Sequence, residues 1–513
     1  MQKLFFLNFF LYYFFSGLVF SQPSTYRSNP NIVIIMVDDM GYSDLGCYGG
    51  EIETPNLDKL AESGLRFTQF YNAAKCHTTR AELLTGNYAF SIGDTDMEYG
   101  ATFGEVLQAI GYKTYISGKW HQNPLPKTRG FDHYYGLADG CSNYFNPRTE
   151  PRMNEGLPGR KYQDRLRRWV IEDRTIMGYT SQDKHFYHTD IVTDYAIDYL
   201  NDRQGKPFLL YLPFTAPHYP LHAWSEDITK YRGKYKIGWD VVRNQRFKRM
   251  KEMGIIGPDH KLSDRSSKKW MSLSEKQKEA EDLKMSVYAA MVDRIDQNLG
   301  RLFTKIKQMG VWENTLIIFL SDNGACSELI NTTPNLDPGP VESYSTLSRG
   351  WANASNTPYK RFKFSSYEGG IRTPLVVYWK GVVEPGITHQ VGHVIDLLPT
   401  IQDITGAIYP DEIKGNRTKA PVGILLLPIF KGKIRKGHDE IFWHFPGKFK
   451  GIRQGDFKAI QNKSFRGLNQ SSWELYDLKN DPTEMENLST KMPIKTSELT
   501  KIWKKWWHTS KKK

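Results

Sequence analysis

"NIVIIMVDD", residues 31–39, is an apolar run rich in β-branched residues that ends on two aspartates. A run this short and apolar on both faces reads as a strand buried on both sides, the kind that parallel sheets covered by helices use. "KTYIS" (113–117), "FLLYLPF" (208–214), "TLIIFLSD" (315–322) and "PLVVYW" (374–379) repeat it. Helical patterns lie between them. "TPNLDKLAESG" has Thr54 as a cap, Pro55 in the first turn and Gly64 as a stop. Residues 281–309 carry Tyr288, Met291, Ile295, Leu299, Leu302, Ile306 and Met309 at helical spacing, a stripe that must pack on the sheet. Strands alternating with helices predict an α/β fold whose central sheet, mostly parallel or mixed, is flanked by helices. Two polar stretches, about 150–185 and 225–280, read as surface insertions.

Beyond residue 405 the pattern changes. "EIFWHF", "KGIRQGDFKAIQ" and "SWELYDL" are short strand-like pieces followed by an amphipathic end at "ELTKIWKKWW". They predict a smaller C-terminal α+β domain with an antiparallel sheet, over residues 406–513, after a large domain at 28–405. The first 21 residues, with one lysine and an apolar run from Leu4 to Phe20, read as a signal peptide cut after Ser21. A membrane anchor is the alternative, but Asn8 interrupts a run that barely spans a bilayer, and no stable membrane insertion is expected. The chain is therefore expected to be exported, to a periplasm or by secretion. Six N-x-S/T sites, including Asn331 and Asn353, permit glycosylation on a eukaryotic route.

The 513 residues carry only four cysteines, Cys47, Cys76, Cys141 and Cys326, so this is no disulfide scaffold. A formal charge of +13, partly in a tail "KKWWHTSKKK" that reads as solvated, suits anionic partners. No nucleic-acid motif is present, and for an exported chain an acidic polysaccharide is the better expectation.

Polar residues follow four of the strand runs: Asp38 and Asp39, then Lys119 and His121 in "SGKWH", His218 in "TAPHYP", and Asp322 and Asn323 in "SDNG". Open α/β sheets build their sites beyond the carboxyl ends of the strands, so these residues are expected at one edge. Asp38, Asp39, Asp322 and Asn323 offer only oxygen, which suits Ca²⁺ or Mg²⁺ rather than zinc. A cation ringed by Arg80, Lys119, His121 and His218 would bind an oxyanion, and the implied reaction is transfer of a charged group.

"AAKCHTTRAELLTGNY" (73–88) adds Cys76 at the start of a short helix capped by Thr78 or Thr79 and stopped by Gly86. At the positive end of a helix a thiol is acidified, although a small buried cysteine that packs is the plain alternative. Three residues separate Cys76 from Arg80, whereas phosphatases that form a cysteinyl phosphate use five.

These residues resemble the formylglycine-dependent sulfatases, an arylsulfatase-type branch of the alkaline phosphatase-like superfamily. Their signature C-x-P-x-R, followed by "LLTG", is matched by "CHTTRAELLTG". The resemblance runs from about residue 31 to the C-terminus through "NIVIIMVDDMGYSDLGCYGG", "GYKTYISGKWH", "TAPHYPLHA", "LSDNGACSE", "WANASNTPYKRFKFSSYEGGIRTPLVVYWKG" and "WELYDLKNDPTEMENL". It implies an alkaline phosphatase-like fold and hydrolysis of sulfate monoesters. Cys76 would be oxidised by a formylglycine-generating maturation enzyme, and Arg80 would hold the hydrated aldehyde. One hydroxyl of that hydrate attacks sulfur, and the other lets the covalent intermediate release sulfate. Asp38, Asp39, Asp322 and Asn323 would bind the cation, usually Ca²⁺; Lys119 and Lys363 would clamp sulfate oxygens. His218 would protonate the leaving alcohol and His121 assist breakdown of the intermediate. The substrate class it suggests, with the positive charge, is a sulfated carbohydrate. Thr78 departs from the family's usual Pro, which bears on maturation. A phosphonate or phosphodiester hydrolase of the same superfamily, and a non-catalytic carbohydrate-binding relative with unconverted Cys76, are the alternatives. Arg372 and Asp396 read as structural, while Asn143, Tyr144, Trp351, Asn353 and His444 are open between pocket and core.

Overall fold

The computed structural model describes residues 29–510 apart from 149, 162–165, 180, 182, 184 and 464–471. The expected signal peptide, residues 1–21, lies outside the described residues. A ten-stranded sheet forms the centre: β1 (Asn31–Val37), β2 (Leu65–Tyr71), β3 (Lys113–Ser117), β4 (His133–Leu137), β5 (Arg168–Ile171), β6 (Arg174–Met177), β7 (Phe208–Pro213), β8 (Thr315–Ser321), β9 (Arg372–Tyr378) and β10 (Gly386–His393). Their order is β10-β2-β9-β8-β1-β7-β3-β4-β5-β6. The five strands read from sequence fall on β1, β3, β7, β8 and β9. Every residue of β1, β7, β8 and β9 is buried, as continuous apolar runs between two helical layers require.

The sheet is mixed. β8, β1, β7, β3 and β4 run parallel, but β9 runs antiparallel between β8 and β2, and β5 and β6 close one edge as antiparallel strands. One face packs on the long helix Glu275–Gln308, whose predicted stripe is buried from Tyr288 to Ile306. The other packs on the helices Leu397–Thr405 and Leu427–Phe430, together with Ala81, Leu83 and Leu84 of the helix Cys76–Thr85.

Several readings need correction. Residues 168–177, taken as part of a surface insertion, are the edge strands β5 and β6, with Trp169 and Val170 buried. Residues 225–280 are not a surface insertion either. Their helix Trp239–Glu252 carries Arg246 into the interior, where it holds Glu51 through two bonds of 2.7 Å and Asp44 through one of 2.6 Å. The first helix stops at Glu62 rather than Gly64. The Cys76 helix starts at Cys76 itself with Lys75 as its cap residue, so Thr78 and Thr79 lie in the first turn; Gly86, at φ 65°, ends it as expected. Asn353 is buried and accepts the Ser266 N–H, which removes it as a glycosylation site in the folded chain.

After a hairpin of β11 (Glu412–Ile413) and β12 (Asn416–Arg417), the antiparallel sheet β13 (Ile441–Phe445), β14 (Phe449–Gln454), β15 (Phe457–Asn462) and β16 (Glu474–Asp477) is covered by the helix Pro493–Ser510. The tail through Ser510 is not simply solvated: Trp503 is buried, and Trp506 stacks on Phe442 with ring centroids 4.2 Å apart. Among the described residues no helix is long and apolar enough to cross a membrane.

Candidate active site

The carboxyl ends of the parallel strands share one edge, and the residues expected there converge on it. Asp38 and Asp39 directly follow β1, Asp322 and Asn323 directly follow β8, and the turns after β3 and β7 carry Lys119 and His218; all six are buried. β2 points the same way and delivers Cys76. Because β9 is antiparallel, the segment preceding it, with Lys363, arrives at this edge too.

Local constraints hold the parts. Gly118, at φ 131°, lets the chain turn from β3 to Lys119; a Cβ there would stand 2.2 Å from the Pro213 carbonyl oxygen. Cys76 and Arg80 are four apart on one helix and so share a face. Asp39, Ala74, His121 and Phe364 all have positive φ, a cluster of strained backbone around the site. The Phe364 N–H donates to the Ala74 carbonyl at 3.0 Å, tying the Lys363 loop to the Cys76 loop.

Arg80 is fully buried and donates to Asp322 at 3.0 Å, to Asp38 at 3.4 Å and to the Lys119 carbonyl at 2.9 Å. The Lys119 and Lys363 ammonium groups donate to Asp38 and Asp39. Asn323 donates to Asp39 at 2.7 Å, and the Asp39 N–H to Asp322 at 3.3 Å. His218 gives its Nδ1–H to the Tyr219 carbonyl at 2.7 Å and turns Nε2 toward Asp39 Oδ2 at 3.5 Å; the Tyr144 hydroxyl fixes the His218 carbonyl at 2.7 Å. Lys75 donates to Cys76 Sγ at 3.2 Å.

The electrostatics follow from packing so many charges out of water. Burial raises the Cys76 thiol, but Lys75, Lys363, Lys119 and His121 outweigh it and hold it well below its ordinary value. Burial likewise opposes ionisation of Asp38, and Lys119, His218 and Arg80 overcome it. Asp322 is pushed up by burial and by the Asp38 charge beside it. Burial holds His121 down to about 3 and lowers His218 in spite of Asp39 and Asp38.

Among the described residues, three buried oxygens, Asp38 Oδ1, Asp39 Oδ2 and Asn323 Oδ1, find no hydrogen-bond partner. Stranded acceptors of this kind are costly unless something satisfies them. Three oxygen donors with Asp322 beside them fit a hard cation. A softer group, Cys76 with His77 and His121, also lies with ligand atoms within 4.8 Å of one another.

Sequence reasoning missed Lys75 and His77. Their signal was adjacency to Cys76: Lys75 also lies over the Phe364 ring at 4.7 Å, and His77 meets His121 edge to face at 5.6 Å. Arg372 donates to the Thr68 carbonyl and to Glu368, and Asp396 accepts from Arg435 and His438, structural duties in both cases. Trp351 sits in the core and donates to the Glu281 carbonyl, Asn143 braces the Gly159 and Val341 carbonyls, and His444 packs on Trp507.

Comparison with known proteins identifies the family. The family described as "Sulfatase" matches residues 30–407, and that described as "N-sulphoglucosamine sulphohydrolase, C-terminal" matches 359–512. An uncharacterized sulfatase of Schizosaccharomyces pombe is 33% identical over 92% of each chain. The arylsulfatase of Klebsiella aerogenes is 32% identical over 81% of this chain and 95% of its own. The crystal structure of Ps i-CgsB in complex with k-i-k-neocarrahexaose superposes with a TM-score of 0.65 at 25% identity, covering 93% of each chain. With its mixed sheet, its antiparallel C-terminal sheet and relatives matched along nearly the whole length, the chain belongs to the sulfatase family and is a sulfuric ester hydrolase of alkaline phosphatase-like fold.

Proposed function

We propose that this chain is an exported sulfatase, periplasmic or secreted, that hydrolyses sulfate monoesters on a sulfated carbohydrate and uses Cys76 as the precursor of formylglycine. On this reading a signal peptide at 1–21 precedes a catalytic domain at 28–405 and a C-terminal subdomain at 406–513. The observation that carries it is the enclosure of Cys76 between the cations Lys75, Lys119 and Lys363 and the stranded oxygens of Asp38, Asp39 and Asn323. The neighbour with a bound neocarrahexaose supports a carbohydrate as substrate.

Asp38, Asp39, Asp322 and Asn323 are the residues that would hold Ca²⁺, or Mg²⁺. Bound there, the cation would neutralise charge on sulfate oxygens. Formylglycine, once made by a maturation enzyme, would supply a hydroxyl nucleophile with a second hydroxyl for release. Arg80, locked by Asp38, Asp322 and the Lys119 carbonyl, cannot swing and so fixes the neighbouring end of the Cys76 helix. Lys119 and Lys363 bring two positive charges to the sulfate, where preorganised charge in a dry pocket is worth most. The Tyr219 carbonyl holds Nδ1–H of His218, so Nε2 is the atom that faces the leaving alcohol and would pass it a proton when the ring is doubly protonated. His121, held neutral by burial, is placed to accept a proton beside residue 76.

The test is turnover of 4-nitrophenyl sulfate against the matching phosphate monoester, phosphodiester and phosphonate, with mass spectrometry of the peptide holding Cys76. A larger kcat/KM for the sulfate, from molecules in which Cys76 is converted, is expected; activity should vanish on exhaustive chelation and return with Ca²⁺ or Mg²⁺. A higher kcat/KM for the diester or phosphonate would overturn the substrate class. An intact thiol in protein purified from its own host would overturn the mechanism, and recovery with Zn²⁺ alone the metal.

A further inference from the structure

Beside the catalytic edge is a pocket whose wall is basic and which the reaction above does not use. It is lined by Ser142, Arg160, Lys161, Arg167 and Tyr344 and is shallow, with about 20 Å³ of enclosed room and a mouth open to solvent. The aromatic Tyr219 separates it from the reaction centre. Its ring lies 4.1 Å from that of His218 on one side, and on the other it meets Tyr344 at 6.2 Å and Lys161 Nζ at 5.7 Å. Glu328 accepts the Tyr219 hydroxyl at 2.6 Å.

Two side chains here keep polar groups unspent. Among the described residues, Arg160 Nε and Nη1 are buried without an acceptor, and the oxygen of Ser142, a residue only 6% exposed, is without a partner. Burying guanidinium N–H groups with nothing to receive them is expensive, and an arginine fork matches the planar spread of carboxylate or sulfonate oxygens. Asn143, one residue along, is spent holding the Gly159 and Val341 carbonyls, which keeps this wall in place.

We propose that this pocket is a second anion subsite, in which Arg160, Arg167 and Ser142 bind a sulfate or carboxylate borne by the sugar on the leaving-group side. The inference rests on the sulfatase reading, because it is His218, facing the leaving alcohol, that sets the side. It narrows the substrate from any sulfated carbohydrate to one carrying a further negative group close to the scissile ester. A monosulfated, otherwise neutral sugar would leave the arginine donors unmatched and be the poorer substrate.

The experiment compares kcat/KM for three disaccharides, one with two sulfates, one with a sulfate and a carboxylate, and one with a single sulfate, alongside 4-nitrophenyl sulfate. Wild type should prefer the doubly charged pair over the monosulfated sugar by roughly 10–100-fold, the range expected of hydrogen bonds to a charged group; the ratio between the first two identifies the anion. Arg160→Met with Arg167→Met should erase that preference while leaving 4-nitrophenyl sulfate within about twofold, which also reports an intact fold. Ser142→Ala, a smaller change, should lower it partway. An equal preference in wild type and the double variant overturns the subsite, and so does a wild type that treats all three sugars alike. Calorimetric binding of the disulfated sugar to the Cys76→Ala protein, with and without the arginine changes, decides the subsite even if no substrate is turned over, an outcome that would count against the sulfatase reading alone.

Discussion

Lys458→Met should destabilise the chain by about 3–5 kcal/mol at pH 8, the usual cost of stranding buried charges. Lys458 on β15 is fully buried and sits between two carboxylates that are also fully buried, at 2.5 Å from Glu368 and 2.6 Å from Glu484. Glu368 keeps Tyr71 at 2.9 Å and Arg372 at 3.1 Å after the change, and its N–H still bonds Glu484 at 2.7 Å. The Glu484 carboxylate loses the only ammonium group among the described residues that pairs with it, while Lys360 keeps its bond to the Glu484 carbonyl at 3.1 Å. Burial pushes its carboxyl up to about 7 from an ordinary 4.5, with Lys458 working the other way. A raised carboxyl binds a proton in the folded chain that the unfolded chain does not hold between those values. Its stabilising contribution is therefore full below pH 4.5 and lost as pH rises through 7. Removing Lys458 moves that loss to higher pH, so the variant should suffer less at pH 5.5 than at pH 8, by at least about 1 kcal/mol. Chemical denaturation followed by tryptophan fluorescence at both pH values measures this, since Trp473 and Trp503 lie in the C-terminal layer. A loss under about 1 kcal/mol at pH 8, or an equal loss at both, would refute the reasoning.

Lys363→Ala should lower kcat for an aryl sulfate by roughly 10²-fold or more if its charge stabilises the transition state, and steady-state kinetics at saturating substrate decides it. Thr78→Pro should raise the fraction of Cys76 converted in a heterologous host, measured by peptide mass spectrometry, with activity per converted molecule unchanged. The structure permits it because residue 78 is the third of its helix, where the N–H has no intrahelical acceptor to lose.

The sequence revealed what continuous apolar runs can reveal. β1, β7 and β8 are buried on both faces, so their residues are apolar throughout and their ends stand out. β2, "LRFTQFY", escaped because Arg66 and Gln69 are only half-buried and break the run. β5 and β6 escaped for another reason: at four residues each, with arginine at both starts, they carry too little periodicity to separate from loop. Asp38, Asp39, Asp322 and Asn323 were legible because each ends a visible strand. The tail misled because its lysines alternate with tryptophans, and net charge hides an aromatic face that Tyr88, Phe90 and Phe442 cover.

Lys363 is the instructive case, since no local pattern marks it and only resemblance proposed it. Its position depends on the direction of β9. Had β9 run parallel to β8, the segment before it would have reached the opposite edge of the sheet, and residue 363 would lie a full strand length from Cys76. Antiparallel pairing on both sides, with β8 and with β2, reverses this and brings 360–371 beside the carboxyl ends. Strand direction is set by tertiary pairing rather than by the strand's own residues, and "RTPLVVY" is equally apolar either way. The same reversal accounts for the Lys458 network. Glu368 lies between Lys363 and β9, so the C-terminal sheet, through Lys458, grips the segment that delivers the lysine. The two parts of the chain therefore share one buried charge cluster a few residues from Lys363, and a change in either sheet that disturbs Glu368 should be felt there.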